Sequence, residues 1–266
     1  MDDSRIRQAA QFLLDEHAAR HRFRPLPAHC APASVEEAYA VQDAFVALKS
    51  GSRGRRIGWK IALTTPQMQA MVGLDTPIAG AMHEFQVLRS PARTSAAGHV
   101  RLIVEFEICM QLGSDLPPRQ QPYTAKEAGS AVAAVMPALE LADDRDADYA
   151  VLAAHGLDLI ADNARNEGAV LGTPVQAWQA IDLATLRGVA SINGSVVGEG
   201  SGTDAMGHPL NVVAWIANHL ATRGQVLAAG DVVITGSLVT SKFPRAGDRI
   251  SFDAGALGTV ALDVGR

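Results

Sequence analysis

Cysteine is scarce in this chain: Cys30 and Cys109 are the only two among 266 residues. Two are too few for a disulfide framework, so stability has to come from a packed core. Cys109 lies in an apolar run and is expected to pack as a small hydrophobe. No stretch approaches the roughly 18 uninterrupted apolar residues that a membrane-crossing helix needs. The opening residues MDDSRIRQ are too polar for a signal peptide. Basic residues do not dominate either: 23 Lys and Arg face 28 Asp and Glu, a net charge of −5. That balance argues against a general nucleic-acid binder. The one basic cluster, RGRR at 53–56, is expected to be a solvated loop. Internal repeats and low-complexity segments are absent. What remains is a cytoplasmic globular protein, 48% hydrophobic and 19% charged, with neither membrane nor nucleic acid as partner.

Apolar residues Ile6, Ala9, Ala10, Leu13 and Leu14 recur at helical spacing within 4–20. Three prolines in HRFRPLPAHCAP end that helix. A second helix is expected from Ser34, whose S-V-E-E segment is a capping box with Glu37, to about Leu48. The loop GSRGRR then separates a helical N-terminal subdomain, residues 1–54, from a body spanning 55–266. Within the body, Thr65-Pro66 caps a short helix ending at Gly73, and Thr124 with Glu127 opens one through about Ala134. His208-Pro209 starts another, stopped by Gly224. Strands are predicted at 57–62, 100–112, 137–143, 189–193, 231–235, 249–253 and 258–264. Glycine-rich turns in the last third favour a curved, antiparallel-rich sheet over regular βαβ alternation.

Within LIVEFEICMQL, Glu105 and Glu107 alternate, and Glu140 ends the apolar stretch AVMPALEL. Residues i and i+2 of a strand point to the same face. A buried carboxylate is costly unless something positive meets it. No lysine or arginine lies between Arg101 and Arg119 to do so locally. Three convergent carboxylates suit a hard divalent cation such as Mg²⁺ or Mn²⁺. Spacing alone leaves a second account open, in which Glu105 and Glu107 line the wet face of an antiparallel strand.

Six segments recur in the order seen in one known group: GWKIALTTPQMQAMVGLDTPIAG (58–80), VEFEI (104–108), VMPALELADDR (135–145), LIADNA (159–164), GHPLNVVAWIANHLATRG (207–224) and GDVVITGSLVTSKFPRAGD (230–248). Through them the chain resembles the 2-keto-4-pentenoate hydratases and 4-oxalocrotonate decarboxylases of the fumarylacetoacetate hydrolase superfamily, from about residue 30 to 264. The resemblance implies an α+β fold, a mixed β-roll with peripheral helices, normally assembled as a homo-oligomer. It also implies that Glu105, Glu107 and Glu140 hold one divalent metal, Mg or Mn, which chelates the carboxylate and 2-oxo group of a small 2-keto acid substrate.

In the same group a lysine at the position of Lys60 is catalytic. Beside a cation and partly buried, its pKa is expected to be lowered. Asp162 in LIADNA falls on a second catalytic position. Thr64 and Thr65, at a positive helix end, suit a substrate carboxylate. His208 is by type a structural residue at a helix N-terminus, yet the resemblance implies that its GHP loop lies beside the substrate, and Thr235, Gly236 and Ser237 form a turn whose N–H groups are expected to make an anion-binding nest. Arg165 stands where relatives often carry a small serine. An arginine there either recognises a second substrate carboxylate or points to solvent; for a decarboxylase, it or Lys242 is the natural partner of that carboxylate.

One segment departs from the hydratase pattern. Some hydratases resemble P-D-F-G where this chain has Pro77-Ile78-Ala79-Gly80, and the decarboxylases resemble T-P-I-x-G. The expected activity is hydration of 2-hydroxypenta-2,4-dienoate to 4-hydroxy-2-oxopentanoate. Decarboxylation of 2-oxohex-3-enedioate is the alternative, and a non-catalytic scaffold relative a third.

Overall fold

The computed structural model describes residues 1–266. The chain runs α1 (Asp3–Ala18), α2 (Val35–Arg53), β1 (Arg56–Ala62), α3 (Pro66–Met71), β2 (Ile78–His83), β3 (Val87–Arg89), β4 (Ala92–Ser95), β5 (Leu102–Leu112), α4 (Ala125–Ser130) and β6 (Val132–Asp143). It continues with α5 (Tyr149–Leu152), α6 (Gly156–Ala161), β7 (Asn166–Leu171), β8 (Arg187–Ile192), β9 (Ser195–Ser201), α7 (Pro209–Thr222), β10 (Val232–Ile234), β11 (Val239–Lys242), β12 (Arg249–Asp253) and β13 (Thr259–Gly265). No helix is long and apolar enough to cross a membrane.

Two sheets organise the body. The larger has the order β2-β1-β10-β5-β6-β7-β3, with β11 also pairing β5; the smaller runs β4-β13-β12-β8-β9. Most pairs are antiparallel, and β1/β10, β3/β7 and β4/β13 are parallel. This is the mixed, antiparallel-rich α+β arrangement that the glycine-rich turns imply. Alternation along β5 sends Val104, Phe106, Ile108 and Met110 into the main core, where Phe106 meets Phe252 of the second sheet at 5.7 Å between ring centroids. The opposite face therefore carries Glu105, Glu107 and Cys109. Cys109 packs there with Met136, Ala138 and Ile234, fully buried.

Caps appear where the residue types require them. Ser34 accepts from the Glu37 amide, Thr65 from Met68, and Thr124 with Glu127 completes a capping box. The boundaries differ in two places. The second helix runs past Leu48 to Arg53 and stops at Gly54, whose φ of 79° suits glycine. The helix begun at Thr124 ends at Ser130 rather than Ala134, because Val132–Ala134 pair with β5. The ladder of an eleven-residue strand outweighs a local helix preference. The RGRR cluster is not simply solvated: Arg53 meets Glu167 at 2.7 Å, and Arg56 meets Asp231 at 3.0 Å while stacking on Trp59.

Segment 78–83, outside the strands predicted from the sequence, is a wholly buried strand paired with β1. Its outer edge is satisfied by side chains: at Ala79 the Tyr39 hydroxyl accepts from the amide at 3.0 Å and Gln42 donates to the carbonyl at 2.9 Å. Asn163 accepts from the Ala81 amide at 2.6 Å and donates to the Ala81 carbonyl at 2.9 Å, so it replaces a neighbouring strand. Gly80 permits this approach, since a Cβ there would lie 2.5 Å from the Asn163 carbonyl oxygen. Ile78 is fully buried among Leu63, Ile160 and Ala164, an apolar setting.

Candidate active site

In the β5/β6 ladder Glu105 stands directly opposite Glu140, and Glu107 follows two residues on along the same face. One oxygen from each of the three carboxyls lies within 4.8 Å of the others. Glu107 and Glu140 are 0% exposed, so the wet-face account is excluded. Each carboxylate accepts a hydrogen bond from a neighbouring segment. Ser241 donates its hydroxyl to Glu105, the Gly236 amide donates to Glu107 at 2.9 Å, and Asn166 Nδ2 donates to Glu140 at 3.0 Å.

The missing local cation comes from β1. Lys60, on the same face of the sheet, reaches Glu140 at 3.0 Å and donates to the Ala164 carbonyl at 3.3 Å. The expected lowering of its pKa is not found in the metal-free cluster. Burial works in that direction, but Glu140, Glu105 and Glu107 together hold the ammonium's pKa raised. The carboxylates respond to the same crowding. Burial, then repulsion from Glu140 and Glu105, pushes Glu107 well above the usual range. Burial likewise leads for Glu140, which rises to about 7 despite Lys60 and Asn166.

Two observations measure whether a cation fits. Glu107 Oε1 and Glu140 Oε2 are buried with no hydrogen-bond partner, although buried acceptors are normally paired. Once all three carboxyls are ionised, one ammonium leaves two negative charges, which a divalent ion neutralises. The donors are all oxygen, the preference of Mg²⁺, Mn²⁺ and Ca²⁺.

A cavity of about 200 Å³ lies over this cluster, lined by Lys60, Glu105, Thr64, Gly236, Ser237 and Arg165 at its polar points. Leu63, Met71, Val72, Ile103, Leu152 and Leu159 supply apolar wall. A wider groove of about 810 Å³ shares Thr64, Glu105, Ser237 and Ser241 with it and adds Thr65. Thr64, Thr65, Gly236 and Ser237 are therefore brought together with Lys60. Gly236 has φ 84°, and a Cβ there would lie 2.6 Å from Thr64 Cγ2, so glycine keeps this wall thin.

Four expectations need correction. Asp162 does not line the cavity: its carboxylate is held by His17 and by Arg145 at 2.9 Å, on the side facing α1. Those cations keep it far below the usual carboxylate range against the opposing effect of burial. His208 is the N-cap of α7, its Nδ1 accepting from Leu210 at 3.0 Å, and only its neighbours Met206 and Gly207 reach the groove. Thr235 is fully buried and bonds to the Ile108 amide and the Gly236 carbonyl. The expected nest does not form, because the Thr235 amide donates to Ile108 and the Gly236 amide to Glu107. Lys242, at the end of β11, lines neither cavity. Ser241 and Asn166, which steady two of the carboxylates, carry no sequence signal; only strand pairing brings them there.

Residues 60–265 match the family described as fumarylacetoacetate (FAA) hydrolase C-terminal. A 2-keto-4-pentenoate hydratase of Paraburkholderia phymatum is 31% identical over 89% of this chain and 88% of its own. One from Burkholderia vietnamiensis is 31% identical over 97% of each. Among solved structures, a 4-oxalocrotonate decarboxylase from Pseudomonas putida G7, complexed with magnesium and adipate, superposes with a TM-score of 0.88. It covers 99% of this chain and 98% of its own, at 25% identity.

Proposed function

The chain belongs to the fumarylacetoacetate hydrolase family, in the group of the 2-keto-4-pentenoate hydratases, and from that premise we propose that it is a metal-dependent hydro-lyase adding water to 2-hydroxypenta-2,4-dienoate or a similar 2-keto-enoate. The observation that carries this reading is the pair of unpartnered carboxylate oxygens on Glu107 and Glu140 beside buried Lys60. Glu105, Glu107 and Glu140 would hold Mg²⁺ or Mn²⁺, which supplies Lewis-acid polarisation to a 2-oxo acid and stabilises its enolate.

The product, 4-hydroxy-2-oxopentanoate, ends in a methyl group, so the terminal carbon of the diene must gain a proton while the 2-hydroxyl loses one. Lys60 is the group placed to move it, since the surrounding carboxylates keep it protonated and ready to act first as an acid. Water then adds its oxygen at carbon 4 and a proton at carbon 3. The Ala164 carbonyl and Glu140 fix the direction of the ammonium. Thr64 and Thr65 offer hydroxyls at the groove, Gly236 and Ser237 close the wall beside Glu107, and the apolar lining limits bulk water around the reacting carbons. Asp162, through His17, ties the 162–165 segment to α1, which makes it a positioning residue and gives the helical subdomain 1–54 a role in the site.

Incubation of the purified protein with 2-hydroxypenta-2,4-dienoate and Mg²⁺ is expected to yield a product one water heavier by mass spectrometry. Loss of CO₂ from 2-oxohex-3-enedioate, with the pentadienoate untouched, would instead establish decarboxylation, which the buried Ile78 in place of an aspartate favours. A homo-oligomer is part of the same reading and is checked by light scattering. So is a cytoplasmic setting, where the two free buried thiols stay reduced.

A further inference from the structure

Arg165 lines the same cavity as Lys60 and Glu105 yet takes no part in their network. It is 7% exposed, and its Nη2 is buried without a hydrogen-bond partner. A buried guanidinium ordinarily meets a carboxylate, and the two acids whose charge acts on Arg165, Asp162 and Asp144, are already taken. Asp162 is held by His17 and Arg145, and Asp144 by Arg101 and the Tyr149 hydroxyl. Arg165 instead stacks on Phe23, 5.3 Å from the ring centroid, which fixes the plane of its fork without neutralising it.

The backbone is strained to put it there. Asn163, Ala164 and Arg165 have φ of 53°, 49° and 61°, three successive non-glycine residues in the left-handed region. Such a run persists only where its surroundings over-determine it, and it concentrates at functional sites. Here the two Asn163–Ala81 hydrogen bonds anchor one end. The same run presents the Ala164 carbonyl to Lys60 and the Arg165 side chain to the cavity. The cavity that holds both the carboxylate cluster's Glu105 and Arg165 also has apolar wall, from Leu63, Val72, Ile103, Leu152 and Leu159. A ligand matching this cavity has a polar head at the cluster, a short hydrocarbon middle and an anion at the far end.

We infer that Arg165 binds a second, distal carboxylate of the substrate, so that this chain acts on 2-oxo-enedioates in preference to substrates ending in a hydrocarbon tail. The inference rests on the hydratase reading for the first end of the substrate. A planar bidentate fork against a carboxylate is the strongest geometry open to Arg165, and the ligand would satisfy its unpartnered Nη2.

The test separates binding from chemistry. With the Mg²⁺-loaded protein, calorimetry compares 2-oxoadipate with 2-oxohexanoate, saturated analogues differing only in the terminal carboxylate. The dicarboxylate is expected to bind about 10- to 100-fold more tightly, the worth of a charged hydrogen bond. Arg165→Gln should erase that ratio, and Arg165→Lys should keep part of it. Equal binding in the wild type, or a ratio that survives in Arg165→Gln, overturns the inference. Should Arg165→Gln fail to fold, the wild-type ratio alone decides, and a preference under about threefold counts against it, being far below the worth of such a bond. In the second arm, 2-hydroxyhexa-2,4-dienoate and 2-hydroxyhepta-2,4-diene-1,7-dioate are offered as substrates. Water addition favouring the dioate supports the assignment, and the ratio of kcat/KM should fall in Arg165→Gln. Water addition without such a preference refutes it and leaves the hydratase reading intact. Water added to neither, with the binding ratio intact, removes the hydratase reading and leaves the dicarboxylate assignment standing.

Discussion

Around Asp162 and Glu167 each carboxylate meets at least two cations, whereas Glu105, Glu107 and Glu140 share Lys60 alone. Asp162 takes His17 and Arg145, and Glu167 takes Lys49 at 3.2 Å, Arg53 at 2.7 Å and His17 at 3.3 Å. Both clusters are buried, and burial raises the pKa of any carboxylate. In the first the cations overcome that effect and hold Asp162 and Glu167 below the usual range. In the second, Glu107 and Glu140 stay raised. Burial therefore does not by itself mark a functional acid; under-compensation does. The saturated cluster joins α1 and α2 to the sheet, and the unsaturated one is open to a ligand.

The comparison breaks most sharply at Glu107. Glu107→Gln should lower turnover by about three orders of magnitude or more, because a bound cation's charge stabilisation is worth several kcal/mol. Titration calorimetry should register a matching loss of Mg²⁺ affinity. The metal-free variant should unfold no more easily than wild type, since Gln keeps the size of a carboxyl whose ionised form burial and its neighbours already disfavour. A clear drop in melting temperature would mean that the cluster is structural after all. Lys60→Ala is expected to cost about two to four orders of magnitude in rate while leaving Mg²⁺ binding in place. Normal turnover in that variant would move proton transfer elsewhere.

In the other cluster the same kind of surgery should act on stability. Asp162→Ala leaves Arg145 buried without its partner and His17 with Glu167 alone, a loss of about 3–5 kcal/mol, readable in denaturant unfolding. Equal stability of the variant and wild type would show that Asp162 is not a structural anchor.

The smallest effect is on pH dependence, where the clusters have opposite signs. Asp162 and Glu167 are depressed, so the stability they confer is present above the unfolded carboxylate range and lost as pH falls below that range through their lower folded values. His17 is raised above 6.5: burial opposes its charge, but Asp162 and Glu167 prevail, so its share is lost as pH rises through the folded value. Glu140, raised from 4.5 to about 7, favours the folded state at low pH and loses that contribution as pH climbs towards 7. Melting curves with EDTA and with Mg²⁺ should therefore diverge increasingly from pH 5 to 7, as Mg²⁺ displaces the proton. A constant gap across that range would contradict the raised carboxylates.

Much of the site was legible before any coordinates. Alternation in LIVEFEICMQL puts Glu105 and Glu107 on one face because strand periodicity is two, and Thr65-Pro66 and Thr124 announce helix starts through local capping. Asp162 was misplaced for the converse reason: its motif fixes where the segment lies, but the direction of the carboxylate depends on His17, 145 residues away. Thr235 and the Gly236 amide went astray because their hydrogen bonds are spent on β5, a partner that no local pattern reveals.

The sequence by itself determined which residues could carry charge into the sheet and on which face, since side-chain alternation and caps are properties of a few consecutive residues. Tertiary structure decided the sign of the balance. Lys60 reaches Glu140 only because β10 lies between β1 and β5 in the sheet, and Arg165 faces the cavity only because Asn163 is locked to the edge of β2. Whether a buried charge is paired depends on groups far away in the chain, and that pairing is what separates the saturated cluster from the one awaiting a ligand.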